Sequence, residues 1–315
     1  MRAQMVRDGY VKLPRAGWDD APSDPDRLDA LVSIIDRLEA EGLPPQFMLV
    51  YDEVWEVVNA VGSALRPVYG LQNVMDFYVF NVRPGRSGWL LHRDRPSGRP
   101  GFAADGLPEY TTVWVALTDA SPETSCIYVL PAFSDPEYKA MRGSKYDAPV
   151  ASHFLNCVRA LPVQRGTVLA WSHRILHWGS ASPVEAPEAR KTLTFAMAAP
   201  AYEKPLIELG DGELPPFGAR LALVAYTLVC YHHSAPVTPE MQRDLVEVLR
   251  RHSHHLTPAA LLQATGESFF KSLAAFCRSS ESQQAARIEE LGAQMLGRLG
   301  MKSDWWALEC SGPAR

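Results

Sequence analysis

The sequence predicts a mainly β core of the antiparallel sandwich or jelly-roll kind, with helices at both ends of the chain. Three observations predict it. Between about residues 75 and 200, short runs rich in valine, threonine and aromatics are separated by Gly, Pro, Ser and Asp, which is the texture of strands and turns. No long helical pattern lies between those runs, so alternating β-α units are not expected. On either side the apolar period becomes helical. At 315 residues and 47% hydrophobic content, the chain can fill the core of one large domain. It is read as a single domain over 1–315, with a helical part over 1–70, a β core over 71–204 and a helical extension over 205–315.

The elements follow in order. After a polar, proline-rich opening, DPDRLDALVSIIDRLEAEG sets Leu28, Leu31, Ile35 and Leu38 at helical spacing, with Gly42 as the stop. A second helix is expected through YDEVWEVVNAVGSALRPVYG, breaking near Pro67. Strands are expected in DFYVFNVRPG, YTTVWVALTDA, SCIYVLPA, NCVRALPV, GTVLAWSH and RKTLTFAMAAP. Beyond 205, Thr238-Pro239-Glu240 and Thr257-Pro258 each read as an N-cap followed by proline at the first helical position. MQRDLVEVLRRH, AALLQATGESFFKSLAAFC and QQAARIEELGAQMLGRLG follow as amphipathic helices. They are expected to pack on the sheet or to serve a homodimer contact.

Composition removes several function classes. Net charge is −5 with the two signs interspersed, and no basic tract is present, so nucleic acid is not an expected partner. GxGxxG after a strand and GxxxxGK[ST] are both absent, which removes the usual nucleotide-binding loops. The opening MRAQMVRDGYVKL has no apolar signal segment, and no run of about 18 uncharged apolar residues occurs. A membrane role is therefore not expected. Cys126, Cys157, Cys230, Cys277 and Cys310 are odd in number and form no CxxC pair. Reduced thiols in a cytoplasmic protein are the expectation.

Chemistry concentrates in two segments. In LLHRDRPSG, His92 and Asp94 stand two positions apart after an apolar run; taken alone the pair suits either a metal site or a charged surface turn. In GTVLAWSHRILHWGSASP, a strand leads to His173 and His177 before a Gly-Ser turn, and Arg190 opens the next strand 13 residues after His177 (190 − 177). Two histidines and a carboxylate on one face of an iron centre leave three adjacent positions open for a bidentate 2-oxo acid and dioxygen. HExxH, the usual open zinc pattern on a helix, is absent.

With these segments in view, the chain resembles the phytanoyl-CoA dioxygenase family of iron(II)/2-oxoglutarate oxygenases over roughly residues 75–200. FNVRPGRSGWLLHRD is similar to the approach to that family's HxD pair, and YTTVWVALTDA to the strand after it. TSCIYVLPAFSDPEY is similar to its NGCL…PGSH segment, and GTVLAWSHRILHWGS with ARKTL to its distal-histidine and arginine strands. The resemblance implies a double-stranded β-helix (jelly roll, cupin-like) core. It implies iron(II) held by His92, Asp94 and His177, and Arg190 on the distal carboxylate of 2-oxoglutarate, a bidentate match for a guanidinium. Trp114, Thr112 and Tyr78 are expected on the wall of the co-substrate pocket, Thr112 sharing a face with Trp114 by strand alternation. The implied reaction uses dioxygen, converts 2-oxoglutarate to succinate and carbon dioxide, and oxidises a substrate C–H bond, by default to an alcohol.

The chain departs from the family pattern in places. NG and PGSH read as Thr124-Ser125 and PAFS over 131–134, and the usual HGS reads HWGS with Trp178 inserted, so no role is assigned to Ser180. His173 is the alternative distal ligand, read instead as a residue behind the ligands or at the surface. Asp94 occupies the position that related halogenases leave small for chloride, so an oxidative outcome other than halogenation is expected. Desaturation, demethylation and cyclisation stay open, as does a non-catalytic jelly-roll protein that binds a small molecule. The substrate is expected to be a small secondary metabolite or amino-acid derivative. Arg93, Arg95 and Arg99 are read as a solvated loop ahead of an anionic-substrate site. His232, His233, His252, His254 and His255 are read as structural groups near helix ends, and Trp305 and Trp306 as packing residues. Asp76 and Asp119 have no partner nameable from sequence.

Overall fold

The computed structural model describes residues 1–13, 25–95, 101–139, 156–210, 212–231, 237–258 and 260. The chain divides into two compact units, residues 1–204 and 205–315.

The first unit holds all the described strands: β1 (Tyr10–Leu13), β2 (Gln72–Val82), β3 (Tyr110–Ala116), β4 (Ile127–Leu130), β5 (Arg159–Leu161), β6 (Val168–Ser172), β7 (Leu176–Gly179) and β8 (Arg190–Ala198). They form a five-stranded sheet in the order β1-β6-β3-β8-β2 and a three-stranded sheet in the order β5-β4-β7. Every pairing is antiparallel. Such non-sequential neighbours in two antiparallel sheets are the wiring of a jelly roll.

Register places the residues that matter on one inner face. Thr194 of β8 stands opposite Trp114 of β3 and Tyr78 of β2. Thr112 stands opposite Trp171 of β6. By alternation, Arg190, Thr192 and Thr194 share that face with Thr112, Trp114, Tyr78 and Phe80. Yet β3 and β8 are buried on both faces. Helix α1 (Arg2–Asp8) packs beside β1, while α2 (Pro25–Ala40), α3 (Asp52–Tyr69) and the short 3-10 helix Pro45–Val50 cover the outer face. Trp55 of α3 sets its ring edge-on to Phe77 of β2 at 5.1 Å, and Phe77 in turn meets Phe195 of β8. Lys191, on the outer face of β8, pairs with Asp36 of α2 at 2.7 Å.

The helical expectations for α2 hold: Leu28, Leu31, Ile35 and Leu38 are all buried, and Gly42 follows in a left-handed turn at φ 71. Two details differ. The N-terminal part is not wholly helical, because β1 closes one edge of the large sheet against β6. Its four residues bury only Val11 and Leu13, too brief an alternation to stand out in sequence. Pro67 does not end α3, which runs on to Tyr69 and is capped by Gly70 at φ 67. Proline so near the C-terminus removes a single backbone bond in the last turn, where the helix can bear it.

In the second unit, α4 (Phe217–Cys230) is buried along most of its length. Helix α5 (Pro239–His252) begins as its sequence predicts, with the Thr238 hydroxyl accepting from the Met241 amide at 3.2 Å. The Thr257 hydroxyl accepts from the Ala260 amide at 3.2 Å in the same way. Among the described residues no helix is long and apolar enough to cross a membrane. The predicted helices over 259–277 and 283–300, the homodimer contact assigned to them, and Cys277, Cys310, Trp305, Trp306, His232, His233 and Arg99 lie outside the described residues.

Candidate metal centre

His92 leaves the loop after β2 and pairs with His177 of β7 through two backbone hydrogen bonds, His92 N to His177 O at 2.9 Å and His177 N to His92 O at 3.0 Å. That bridge brings the two imidazoles to 4.3 Å between ring centroids. The next turn of backbone swings Asp94 in, its Oδ1 3.2 Å from His92 Nε2 and 3.6 Å from His177 Nε2. The three ligand atoms lie within 4.8 Å of one another, and among the described residues no other group of three such side chains is so arranged.

The opposite side of each ligand is already engaged. His92 Nδ1 faces the Leu90 carbonyl at 2.7 Å and His177 Nδ1 the Ile175 carbonyl at 3.2 Å. A proton on Nδ1 shared with a carbonyl puts the lone pair of each ring on Nε2, the tautomer a metal requires. Asp94 Oδ2 accepts from the Thr112 hydroxyl at 2.6 Å and from the Trp171 indole N–H at 3.0 Å, so Oδ1 is the oxygen turned to the histidines. Burial alone would raise the Asp94 carboxyl, but the imidazoles of His177 and His92 and the Thr112 hydrogen bond outweigh it and hold it well below the usual range. Two neutral nitrogens and one carboxylate on one side of a small space suit a divalent transition metal with open positions opposite.

Arg190, the first residue of β8, is 2% exposed. Its guanidinium lies 5.7 Å over the Trp114 ring, and one of its terminal nitrogens would be 3.4 Å from a Cβ on Gly179. The guanidinium therefore lies between the Trp114 ring of β3 and Gly179 of β7. Among the described residues Arg190 has no carboxylate partner, and its Nε has no hydrogen-bond acceptor. Burial lowers its pKa to about 10, which still leaves it a cation at neutral pH. The hydroxyls of Thr192 and Thr194 on the same face are likewise buried without partners. A buried cation and buried hydroxyls left unpaired are costly, and here they line one strip beside the ligands.

The turn at Gly179–Ser180 is packed against two other loops. A Cβ on Gly88 would meet Gly179 O at 2.6 Å, so only glycine lets that loop lie alongside β7. Ser180 Oγ accepts from Cys126 N at 3.0 Å, and Ser180 O accepts from Ser125 Oγ at 2.6 Å. Ser125 occupies the position where the family pattern carries glycine, and its φ is 102, a conformation that favours glycine. The serine keeps it at the gain of that hydrogen bond.

Several sequence expectations are corrected here. Thr112 shares the inner face with Trp114, but its hydroxyl is committed to Asp94 and steadies a ligand. Arg93 and Arg95 do not belong to a solvated loop. Arg93 is 3% exposed and pairs with the buried Asp135 at 2.7 Å, also donating to the Arg174 carbonyl. Arg95 donates to both oxygens of Glu203 at 2.9 and 3.2 Å. Both arginines anchor the turn that carries Asp94. His173 is no surface residue. It is fully buried among Phe102, Tyr110 and Tyr202, with Nδ1 at the Tyr110 carbonyl, and it is not part of the clustered group. Asp119, unassigned from sequence, accepts from the Arg165 amide at 2.7 Å and so closes a turn. Tyr78 is half-buried and stacks on Phe80 at 6.2 Å, with Phe80 leading to Trp89 and Trp89 to His92. Sequence reasoning missed Trp171, Thr192 and Thr194. For the threonines the signal existed: both lie at even spacing from Arg190 on one strand, and hence on its face.

Residues 47–184 match the family model described as Phytanoyl-CoA dioxygenase (PhyH). No curated protein matches the chain. Among solved structures, it is similar to the non-heme alpha ketoglutarate dependent epimerase SnoN from nogalamycin biosynthesis, at 17% identity and TM-score 0.47, over 62% of this chain and 81% of that one. It is similar to AviO1 from Streptomyces viridochromogenes Tue57 at 20% identity and TM-score 0.47, over 65% and 98%. It is also similar to EctD from S. alaskensis, solved with 2-oxoglutarate and 5-hydroxyectoine, at 14% identity and TM-score 0.45, over 64% and 75%.

Proposed function

We propose that this chain, which belongs to the phytanoyl-CoA dioxygenase family of iron(II)/2-oxoglutarate oxygenases, hydroxylates a C–H bond of a small molecule. The observation that carries the reading is the convergence of His92 Nε2, Asp94 Oδ1 and His177 Nε2, within 4.8 Å of one another, with the remaining polar atom of each ligand already engaged. A protein that merely binds a ligand has no use for that arrangement.

His92, Asp94 and His177 would hold iron(II). Arg190 would take the far carboxylate of 2-oxoglutarate, which supplies the anion that its buried charge lacks. Thr192 and Thr194 offer hydroxyls along the same strip, with Trp114 and Tyr78 as walls. Iron with dioxygen and 2-oxoglutarate supplies the oxidising power, and the co-substrate leaves as succinate and carbon dioxide. The chain's part is to fix three ligands on one side, to orient the co-substrate and to exclude water. Thr112 and Trp171 keep Asp94 Oδ2 occupied, so that Oδ1 would be the oxygen offered to the metal. Cytoplasmic residence fits Cys126, Cys157 and Cys230 as reduced thiols outside any disulfide.

The test is an anaerobic titration of the apo-protein with iron(II) and then 2-oxoglutarate, followed by the visible charge-transfer band of the chelate. The wild type is expected to give the band and His177→Ala to lose it. Arg190→Ala should need about 100-fold more 2-oxoglutarate, as for truncating one partner of a buried charge pair. A folded wild type without the band would favour the non-catalytic binding protein.

A further inference from the structure

The layer next to Asp94, on the side away from Arg190, contains a carboxyl group that the iron chemistry does not use. Asp76 lies where β2 slips against β8. Asn73 pairs with Met197 and Phe77 with Phe195, so four steps on β2 answer two on β8. Within the slip, Met75 has φ 63 and its amide donates to Asn73 Oδ1 at 2.8 Å. A bulge of this kind turns a side chain to a new direction, and a strained non-glycine residue inside it is a mark of functional constraint.

The side chain so turned is poorly satisfied. Asp76 is 4% exposed. Its Oδ2 has the Arg95 guanidinium at 3.4 Å and the Tyr110 hydroxyl at 3.5 Å, both at the outer limit of a hydrogen bond. Its Oδ1 is buried with no partner among the described residues. Arg95 gives its two shorter bonds to Glu203, so two carboxylates share one guanidinium. His173, packed against the same tyrosines, adds no compensating charge, since burial lowers its pKa to about 4. The Tyr110 and Tyr202 rings stand 6.1 Å apart at 55°, and Arg95, Tyr202 and Glu203 form a partly exposed rim. Tyr110 shares a face of β3 with Thr112, one strand repeat or about 7 Å along from the residue that holds Asp94.

We propose that Asp76, Glu203, Tyr110 and Tyr202 form a subsite for a protonated amine of the substrate, with Asp76 Oδ1 as its acceptor. The inference rests on the iron(II)/2-oxoglutarate reading and narrows it: the substrate is an amino compound. The Arg95 guanidinium already lies 4.7 Å over the Tyr110 ring, so the ammonium is held by the Asp76 carboxylate beside the Tyr202 ring, and its oxidised carbon sits one strand repeat away at the metal. The excess of acceptors favours a cation over a neutral hydroxyl, because a hydroxyl would leave the surplus negative charge buried.

The probes are benzylamine and its neutral counterpart benzyl alcohol, titrated calorimetrically into the anaerobic iron(II)/2-oxoglutarate protein. The expected result is binding of benzylamine at least about tenfold tighter than benzyl alcohol, with a shift of the charge-transfer band on amine binding. Asp76→Asn is expected to abolish the preference while keeping the band. Glu203→Gln, which leaves Arg95 to Asp76 alone, should weaken the amine severalfold and serves if Asp76→Asn does not fold. Equal binding of the two probes by the wild type, or a preference that survives both variants, overturns the subsite. Absence of the band in the wild type before any probe is added overturns the iron reading instead, so the two failures are distinguishable.

Discussion

Asp94 takes its direction from two side chains distant in sequence, Thr112 and Trp171, each giving a hydrogen bond to Oδ2. A carboxylate held this way presents its other oxygen in a fixed orientation, and loss of such a support commonly costs 10–100-fold in metal affinity. Thr112→Val and Trp171→Phe preserve shape and remove one donor each. Each should weaken iron(II) binding by roughly one to two orders of magnitude in an anaerobic competition titration, with the cooperative thermal unfolding of the protein retained. An affinity equal to wild type would mean that Asp94 is aligned by its backbone alone. At this scale the cluster of His92, Asp94 and His177 was legible because the chemistry is local: HRD and the histidine before a Gly-Ser turn are short strings. The support was not. Thr112 and Trp171 meet only through the register of β3 on β6, which no local pattern carries, and so Thr112 read as a pocket residue when its hydroxyl belongs to the ligand.

The element that carries His92 and Asp94, two of the three candidate ligands, is a loop rather than a strand, and something must stiffen it. That task falls to Arg93, whose guanidinium pairs with Asp135 while both side chains are almost wholly out of water. Removing one partner strands the other as an uncompensated buried charge, so Asp135→Ala should lower stability by about 3–5 kcal/mol. Urea denaturation of the apo-protein measures it; a loss below about 1 kcal/mol, the range of surface pairs, would show that water reaches the pair. The sequence was misleading on this loop for a physical reason. Arginines flanking a turn look solvated until the chain supplies acids from elsewhere, and the buried Asp135 lies beyond β4 while the partly buried Glu203 lies beyond β8. The strands themselves were readable from β-branched and aromatic runs bounded by turn residues. The exceptions were β7, four residues that pair with β4, and β1, which is recruited to the sheet edge by pairing with β6 and not by its own four-residue pattern.

For the whole molecule, the buried layer around Tyr110 couples folding to pH through two groups that pull in opposite directions. Burial pushes the Asp76 carboxyl up to about 6 from 3.8. Between those values the native state holds a proton that the unfolded chain has lost, so stability falls as pH rises through that window. The contribution is complete below about pH 4 and gone above about 6. Burial lowers His173 to about 4 from 6.5. There the unfolded chain holds the extra proton, so stability is complete above about 6.5 and is lost as pH falls toward 4. Each swing is on the order of 3 kcal/mol, at 1.36 kcal/mol per unit. The two nearly cancel between pH 4 and 6, so the wild-type curve should show little net slope from this layer. Single substitutions separate them. Relative to wild type, Asp76→Asn should gain stability as pH rises from 4 to 6, and His173→Asn should gain it as pH falls from 6.5 to 4. Urea denaturation of the three apo-proteins across that range gives the two difference curves, in which the titrations common to all of them drop out. Opposite slopes would establish that one buried layer carries both linkages; parallel or flat curves would mean that water screens the layer and that neither group titrates as a buried one.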